Sequence, residues 1–190
     1  MPFQRKSAKA RPPLTEPELL DYAVKSLASK MKSERDLRRR LADRVSADET
    51  GRAAVDNVIA KLKELGYLSD QRFAADFARL RQENEKFGKR RVQQGLMQKG
   101  IASPLVNEAI TKQYEDIDEV ALARQYIERK RLKQPSGDPN ADKAQRQKET
   151  AKIMRRLVAA GFSSRAVWAV LRDWAGSDIQ EIDVEESSEE

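Results

Sequence analysis

The 190-residue chain has no cysteine and no histidine. Disulfides, zinc fingers built on those ligands, and thiol or imidazole catalysis are thereby excluded. Aromatic residues are scarce, at 6%, and most fall on apolar stripes. Little is left for stacking on the bases of single strands. No apolar run approaches the ~18 residues needed to cross a bilayer. The opening residues, MPFQRKSAKARPPLTEP, lack the apolar stretch of a secretory signal, so a cytoplasmic location is expected. Gly88, Gly95 and Gly100 lie in or beside helical segments, so no glycine-rich phosphate loop joins a strand to a helix. Acids are plentiful, but none are grouped in an apolar setting that would shift their pKa. Neither an enzyme nor a cofactor is expected. Alternating apolar and polar runs of useful length are also missing, which points to an all-α protein.

What is present is helical spacing, and it repeats. In residues 87–110, FGKRRVQQGLMQKGIASPLVNEAI, Val92 and Leu96 stand four apart, as do Val106 and Ile110. Gly100 follows the first pair and suits the left-handed conformation that closes a helix. Ser103 is the expected cap of the next helix, with Pro104 in its first turn. Sixty-one positions on, Leu157, Gly161, Phe162, Ser164, Val167 and Leu171 repeat Leu96, Gly100, Ile101, Ser103, Val106 and Ile110. A fainter copy upstream carries Leu37, Leu41, Val58 and Leu62. The spacing predicts three tandem three-helix repeats forming an elongated curved array. Residues 1–14 read as a disordered basic arm, 15–68, 69–116 and 117–176 as the repeats, and 177–190 as an acidic tail. The third repeat carries a polar loop at 133–142. Helix one is expected to carry Leu19, Leu20, Ala23, Leu27 and Met31, and helix seven to run from about Asp118 to Leu132.

Charge is the other strong signal. The net charge is +6, yet from Asp178 onward there are seven acids and no base. Removing those seven from the 31 acids leaves 24 against 37 bases, a surplus of 13 on residues 1–177. Such a body suits a polyanion or an acidic protein surface. The bases cluster as Arg38, Arg39 and Arg40; as Lys89, Arg90 and Arg91; and as Arg129, Lys130 and Arg131, with a further pair at Arg155 and Arg156. With the flanking leucines inward, Arg39 points outward and Arg38 and Arg40 lie on its flanks. Any one such cluster is ordinarily a solvated helix face, and the third also suits a helix C-terminus. Their recurrence is what favours contact with DNA phosphates or an acidic partner. The acidic tail is expected either to fold back over basic surface or to serve solubility alone. An alternative reading is a basic helical nucleic-acid-binding module acting by itself. Against base reading, residues 103–110 offer only Asn107 and Glu108, and residues 163–171 only Arg165.

The ordered set Asp36-Leu37-Arg38-Arg39-Arg40-Leu41, then Leu65-Gly66-Tyr67-Leu68-Ser69-Asp70 with Phe73, then Gly88-Lys89-Arg90-Arg91-Val92, Leu96 and Lys99-Gly100-Ile101 resembles the RecX family of recombination regulators. The resemblance spans about Leu19 to Trp174. Residues 133–148 are longer and more polar than that family's pattern, and Gln93, Gln94 and Gly95 replace its common glutamate before the leucine. The resemblance implies three three-helix repeats. It also implies a cytoplasmic protein that binds the RecA–DNA nucleoprotein filament in its groove; a monomer with no membrane partner is expected besides. There it would restrain ATP hydrolysis, strand exchange and coprotease activity. Lys89, Arg90 and Arg91 are then expected as the central contact, extended by residues 38–40 and 129–131.

Overall fold

The structure is a computed structural model that describes residues 12–135 and 143–175. Most of the expected basic arm, most of the polar loop (136–142) and the whole acidic tail lie outside the described residues. All regular structure among the described residues is helical, as α1 (Glu16–Ser29), α2 (Glu34–Ala42), α3 (Glu49–Glu64), α4 (Asp70–Glu85), α5 (Lys89–Gln98), α6 (Ser103–Tyr114), α7 (Glu119–Arg129), α8 (Lys143–Ala159) and α9 (Ser164–Ala175).

The helix starts follow capping chemistry. Glu18 holds the Thr15 N–H at 2.9 Å and its hydroxyl at 2.7 Å, fixing the entry to α1. The Ser33 hydroxyl accepts the Asp36 N–H at the start of α2. Asp48 takes the Gly51 N–H and the Ser46 and Thr50 hydroxyls ahead of α3. Those bonds favour its charged form and hold its carboxyl at about 2. Asp118 accepts from Val120 and Ala121 at α7. The Ser163 hydroxyl accepts the Ala166 N–H at α9. Ser103, the expected cap of the sixth helix, is instead its first residue.

The helix ends explain two departures from expectation. The first helix stops at Ser29, which leaves Met31 outside it and exposed. The seventh stops at Arg129 because Arg131 adopts φ +49. The Arg131 N–H returns to Glu128 O at 3.0 Å and the Leu132 N–H to Ile127 O at 3.0 Å. That bond pair is the Schellman closure. The same pair forms at Gly66 (φ +71) and Gly161 (φ +92), where glycine takes the conformation without strain. At Arg131 an ordinary side chain does, so no glycine marks the end of α7 in the sequence.

The chain falls into two compact units. Among the described residues, one takes residues 12–74 together with Met97–Leu105, and the other takes Ala75–Leu96 with the residues described between Val106 and Ala175. In the first, Leu19, Ala23, Leu37, Leu41, Val55, Val58, Ile59, Leu62 and Leu68 form the core. Leu37 and Leu41 are fully buried, as their four-residue spacing predicts. In the second, Leu122, Ala123, Tyr126, Ile127, Ile153, Leu157, Phe162, Val167, Val170 and Leu171 pack together. Tyr126 meets Phe162 edge-on at 5.7 Å between ring centroids. Three repeated apolar pairs agree in burial, Leu96 with Leu157, Ile101 with Phe162, and Val106 with Val167, whereas Ile110 is half-buried and its counterpart Leu171 buried.

Candidate functional site

Within the second unit, the start of α5 is seated on the corner between α8 and α9. The Gly88 N–H donates to Ala160 O at 2.9 Å and the Arg90 N–H to Gly161 O at 3.3 Å. The backbones touch directly. A Cβ on Gly88 would collide with the Gly161 carbonyl and stand 2.7 Å from Phe162 N. One on Gly161 would stand 2.6 Å from Arg91 Cβ and 2.8 Å from Gly88 O. The joint is therefore made of main-chain atoms, and the side chains of Lys89, Arg90 and Arg91 are left exposed. The first turn of α5 holds three cations and no acid, an arrangement the helix dipole disfavours. Among the described residues, Lys89 and Arg90 have no side-chain partner.

Phe87, just before this turn, joins two of the predicted clusters. Arg91 and Lys130 each lie 6.0 Å from its ring centroid. The Tyr114 hydroxyl donates to Phe87 O at 2.7 Å and so holds that backbone. Burial pushes the Tyr114 hydroxyl well above its usual range, which keeps it a donor. Arg91 and Lys130, one residue from each cluster, thus meet around one half-buried aromatic ring. Lys130 is the less available of the two. It pairs with Glu85 at 3.1 Å, and that bond lowers the Glu85 carboxyl. Arg129 and Arg131 are exposed; the Arg129 charge also helps to lower Glu85, and Arg131 has no side-chain partner among the described residues. Arg91 touches Gln94 at 3.4 Å.

The third cluster lies in the first unit and is differently placed. Arg38 bonds Asp56 and, at 3.2 Å, Glu34. The Asp56 bond is the main cause that raises its guanidinium further. Arg40 bonds the Tyr22 hydroxyl at 3.0 Å. Arg39 points outward as expected, with its side chain 75% exposed and only a 3.4 Å contact to Asp36. Of the three, Arg38 is held between two acids, whereas Arg39 has only the long contact to Asp36 and Arg40 only a neutral hydroxyl.

α2 starts on a corner of the same kind. The Ser33 hydroxyl donates to Lys99 O at 2.8 Å, Lys99 pairs with Asp36 at 2.7 Å, and Arg35 covers Gly100 (φ +76). The Glu34 N–H donates to the Asp70 carboxylate at 2.8 Å. Burial raises Asp70, while the bond from Lys63 lowers Glu34. Matching Leu37 and Leu41 to Val92 and Leu96 places Ser33 opposite Gly88. It also places Glu34, Arg35 and Asp36 opposite Lys89, Arg90 and Arg91. The basic clusters of α2 and α5 therefore sit one turn apart on equivalent helices, not at equivalent positions.

Three residues were not foreseen from the sequence. Phe87 was assigned no role there. Lys148 and Lys152 on α8 are exposed, and their four-residue spacing from Arg156 was the available signal. Among the described residues, no group of three or more acids is placed to hold a metal ion, and no helix is long and apolar enough to cross a membrane.

Comparison with known proteins agrees with this architecture. A family model described as the second three-helix domain of RecX matches residues 69–110. The regulatory protein RecX of Escherichia coli strain SE11 is 36% identical over 163 residues, which cover 83% of this chain and 92% of that protein. The K12 protein of the same description matches to the same extent. The crystal structure of RecX from Lactobacillus salivarius superposes with a TM-score of 0.59 at 18% identity, covering 84% of this chain and 96% of that one. A second crystal structure, of regulatory protein RecX, gives 0.58 at 23% identity, covering 83% of this chain and 71% of that one. At those identities the structures speak for the all-helical fold alone. The curated relatives carry the assignment: by its identity to them along most of its length, the chain belongs to the RecX family of regulatory proteins.

Proposed function

We propose that the protein regulates the RecA recombinase by binding the RecA–DNA filament in its groove and restraining ATPase, strand exchange and coprotease activity. The observation that carries this reading is the 36% identity to regulatory protein RecX across 92% of that protein's length. The chain acts as a monomeric cytoplasmic regulator and not as an enzyme. It is organised as the repeats 15–68, 69–116 and 117–176.

The patch around Phe87 is the central contact. Arg91 and Lys130 flank that ring, their chain neighbours Lys89, Arg90, Arg129 and Arg131 are exposed cations, and such groups suit phosphate or carboxylate. Arg39 adds a lesser contact, with Arg38 and Arg40 tied to neighbours. The central test titrates the protein into RecA bound to single-stranded DNA with ATP hydrolysis as readout. Inhibition well below one protein per RecA protomer is expected. Unchanged hydrolysis, with binding to bare DNA intact, overturns the reading in favour of a nucleic-acid binder that acts without RecA. Arg90→Glu with Arg91→Glu should weaken filament binding by at least about tenfold at unchanged helix content, since each reversed charge removes a cation contact and adds a repulsion.

A further inference from the structure

α8 carries six bases (Lys143, Arg146, Lys148, Lys152, Arg155 and Arg156) against one acid, Glu149. Ile153, Leu157 and Ala160, which follow the helical spacing, are buried in the core of the second unit. At about 100° per residue, Lys148, Lys152, Arg155 and Arg156 fall within roughly a 100° arc on the opposite side. All four are exposed, and none has an ion-pair partner among the described residues. Glu149 is turned toward Gln145 at 3.0 Å. Like charges at these spacings repel along the helix surface. The row thus gives up stability in the free protein, and an anionic occupant would relieve it.

One segment of the same chain has the complementary character. From Asp178 to Glu190 it carries seven acids and no base. It follows α9, which packs with α8 in one core. We propose that residues 178–190 dock along the cationic face of α8, with Glu181, Asp183 and Glu185 opposite Lys148, Lys152 and Arg156. The spacings agree. Alternate residues of an extended chain lie about 6.6 Å apart on one side. Positions four apart on a helix rise about 6 Å. Length is sufficient: the fifteen residues after Ala175 reach at most about 50 Å, against about 25 Å for α8. Tethering supplies an effective concentration of order millimolar, so several exposed pairs, each weak alone, are enough to populate the docked form. A polyanion bound at α8 must first displace this segment, which makes the segment a built-in competitor. The inference stands apart from RecA regulation and is tested without RecA.

The test is zero-length carbodiimide coupling of lysine amines to carboxylates in the full chain, with the joined peptides identified by mass spectrometry. At 50 mM salt, most adducts of residues 178–190 should involve Lys148 or Lys152. The yield should fall at least about fivefold at 500 mM salt, where the Debye length shrinks to about 4 Å. Lys148→Arg with Lys152→Arg keeps the charge, removes the amines and should abolish these adducts with no gain elsewhere. Adducts spread over Lys89, Lys130 and other lysines, or no adducts from the segment at all, overturn the proposal.

Discussion

Two corners of the molecule perform the same task by different means. At the α5–α6 corner, α2 is received by side chains: the Ser33 hydroxyl on Lys99 O, and the Lys99 ammonium on Asp36. At the α8–α9 corner, α5 is received by main chain, Gly88 on Ala160 and Arg90 on Gly161. The first arrangement leaves α2 with the ordinary electrostatics of a helix start, acids in the first turn. The second frees the first turn of α5 from any packing duty for its charges, and that turn carries three cations. Where the backbone makes the joint, the side chains become available to something outside the chain.

The sharpest way to break the comparison is Gly88→Ala. Its methyl group would meet the Gly161 carbonyl, which is held by the helix corner and cannot turn aside. A loss of about 3 kcal/mol in urea unfolding is expected, at the upper end of overpacking costs. A loss below about 1 kcal/mol would show that the two backbones are not in contact. Next comes Ser33→Ala. It removes a buried hydroxyl that caps α2 and satisfies Lys99 O at once. A loss of about 2 kcal/mol is expected, from the cap and the orphaned carbonyl together. Gly100→Ala should cost about 1.5 kcal/mol, mostly for a left-handed alanine, because the neighbour there is the flexible Arg35 side chain. The smallest effect is Lys99→Met, at about 0.5 kcal/mol and vanishing in high salt, since its partner Asp36 is part-exposed. Salt should leave the Gly88→Ala loss unchanged, and that contrast is the direct check that one corner is electrostatic and the other is not.

Much of this was readable in advance. Leu96, Gly100 and Val106 recur as Leu157, Gly161 and Val167, and apolar spacing with a closing glycine records burial and helix ends directly. The Gly88–Gly161 contact left no comparable trace. A residue that matters for lacking a side chain looks the same as one that does not matter. The end of α7 was misplaced for a related reason, since Arg131 does there what glycine does elsewhere. In the candidate site, the clusters themselves were legible but their pairing was not. Glu34 lies four residues before Arg38, so that contact could be foreseen. Asp56 and Glu85 come from distant helices, and only the fold shows that they occupy Arg38 and Lys130.

The Gly88–Gly161 joint has a consequence for protein engineering. Because main-chain atoms fix the start of α5, the side chains at positions 89 and 90 can be exchanged without loosening their mount, proline at 90 excepted, since the bond to Gly161 O needs that N–H. Those two positions form a natural display platform. A library randomised there would vary an exposed surface while its scaffold stayed constant.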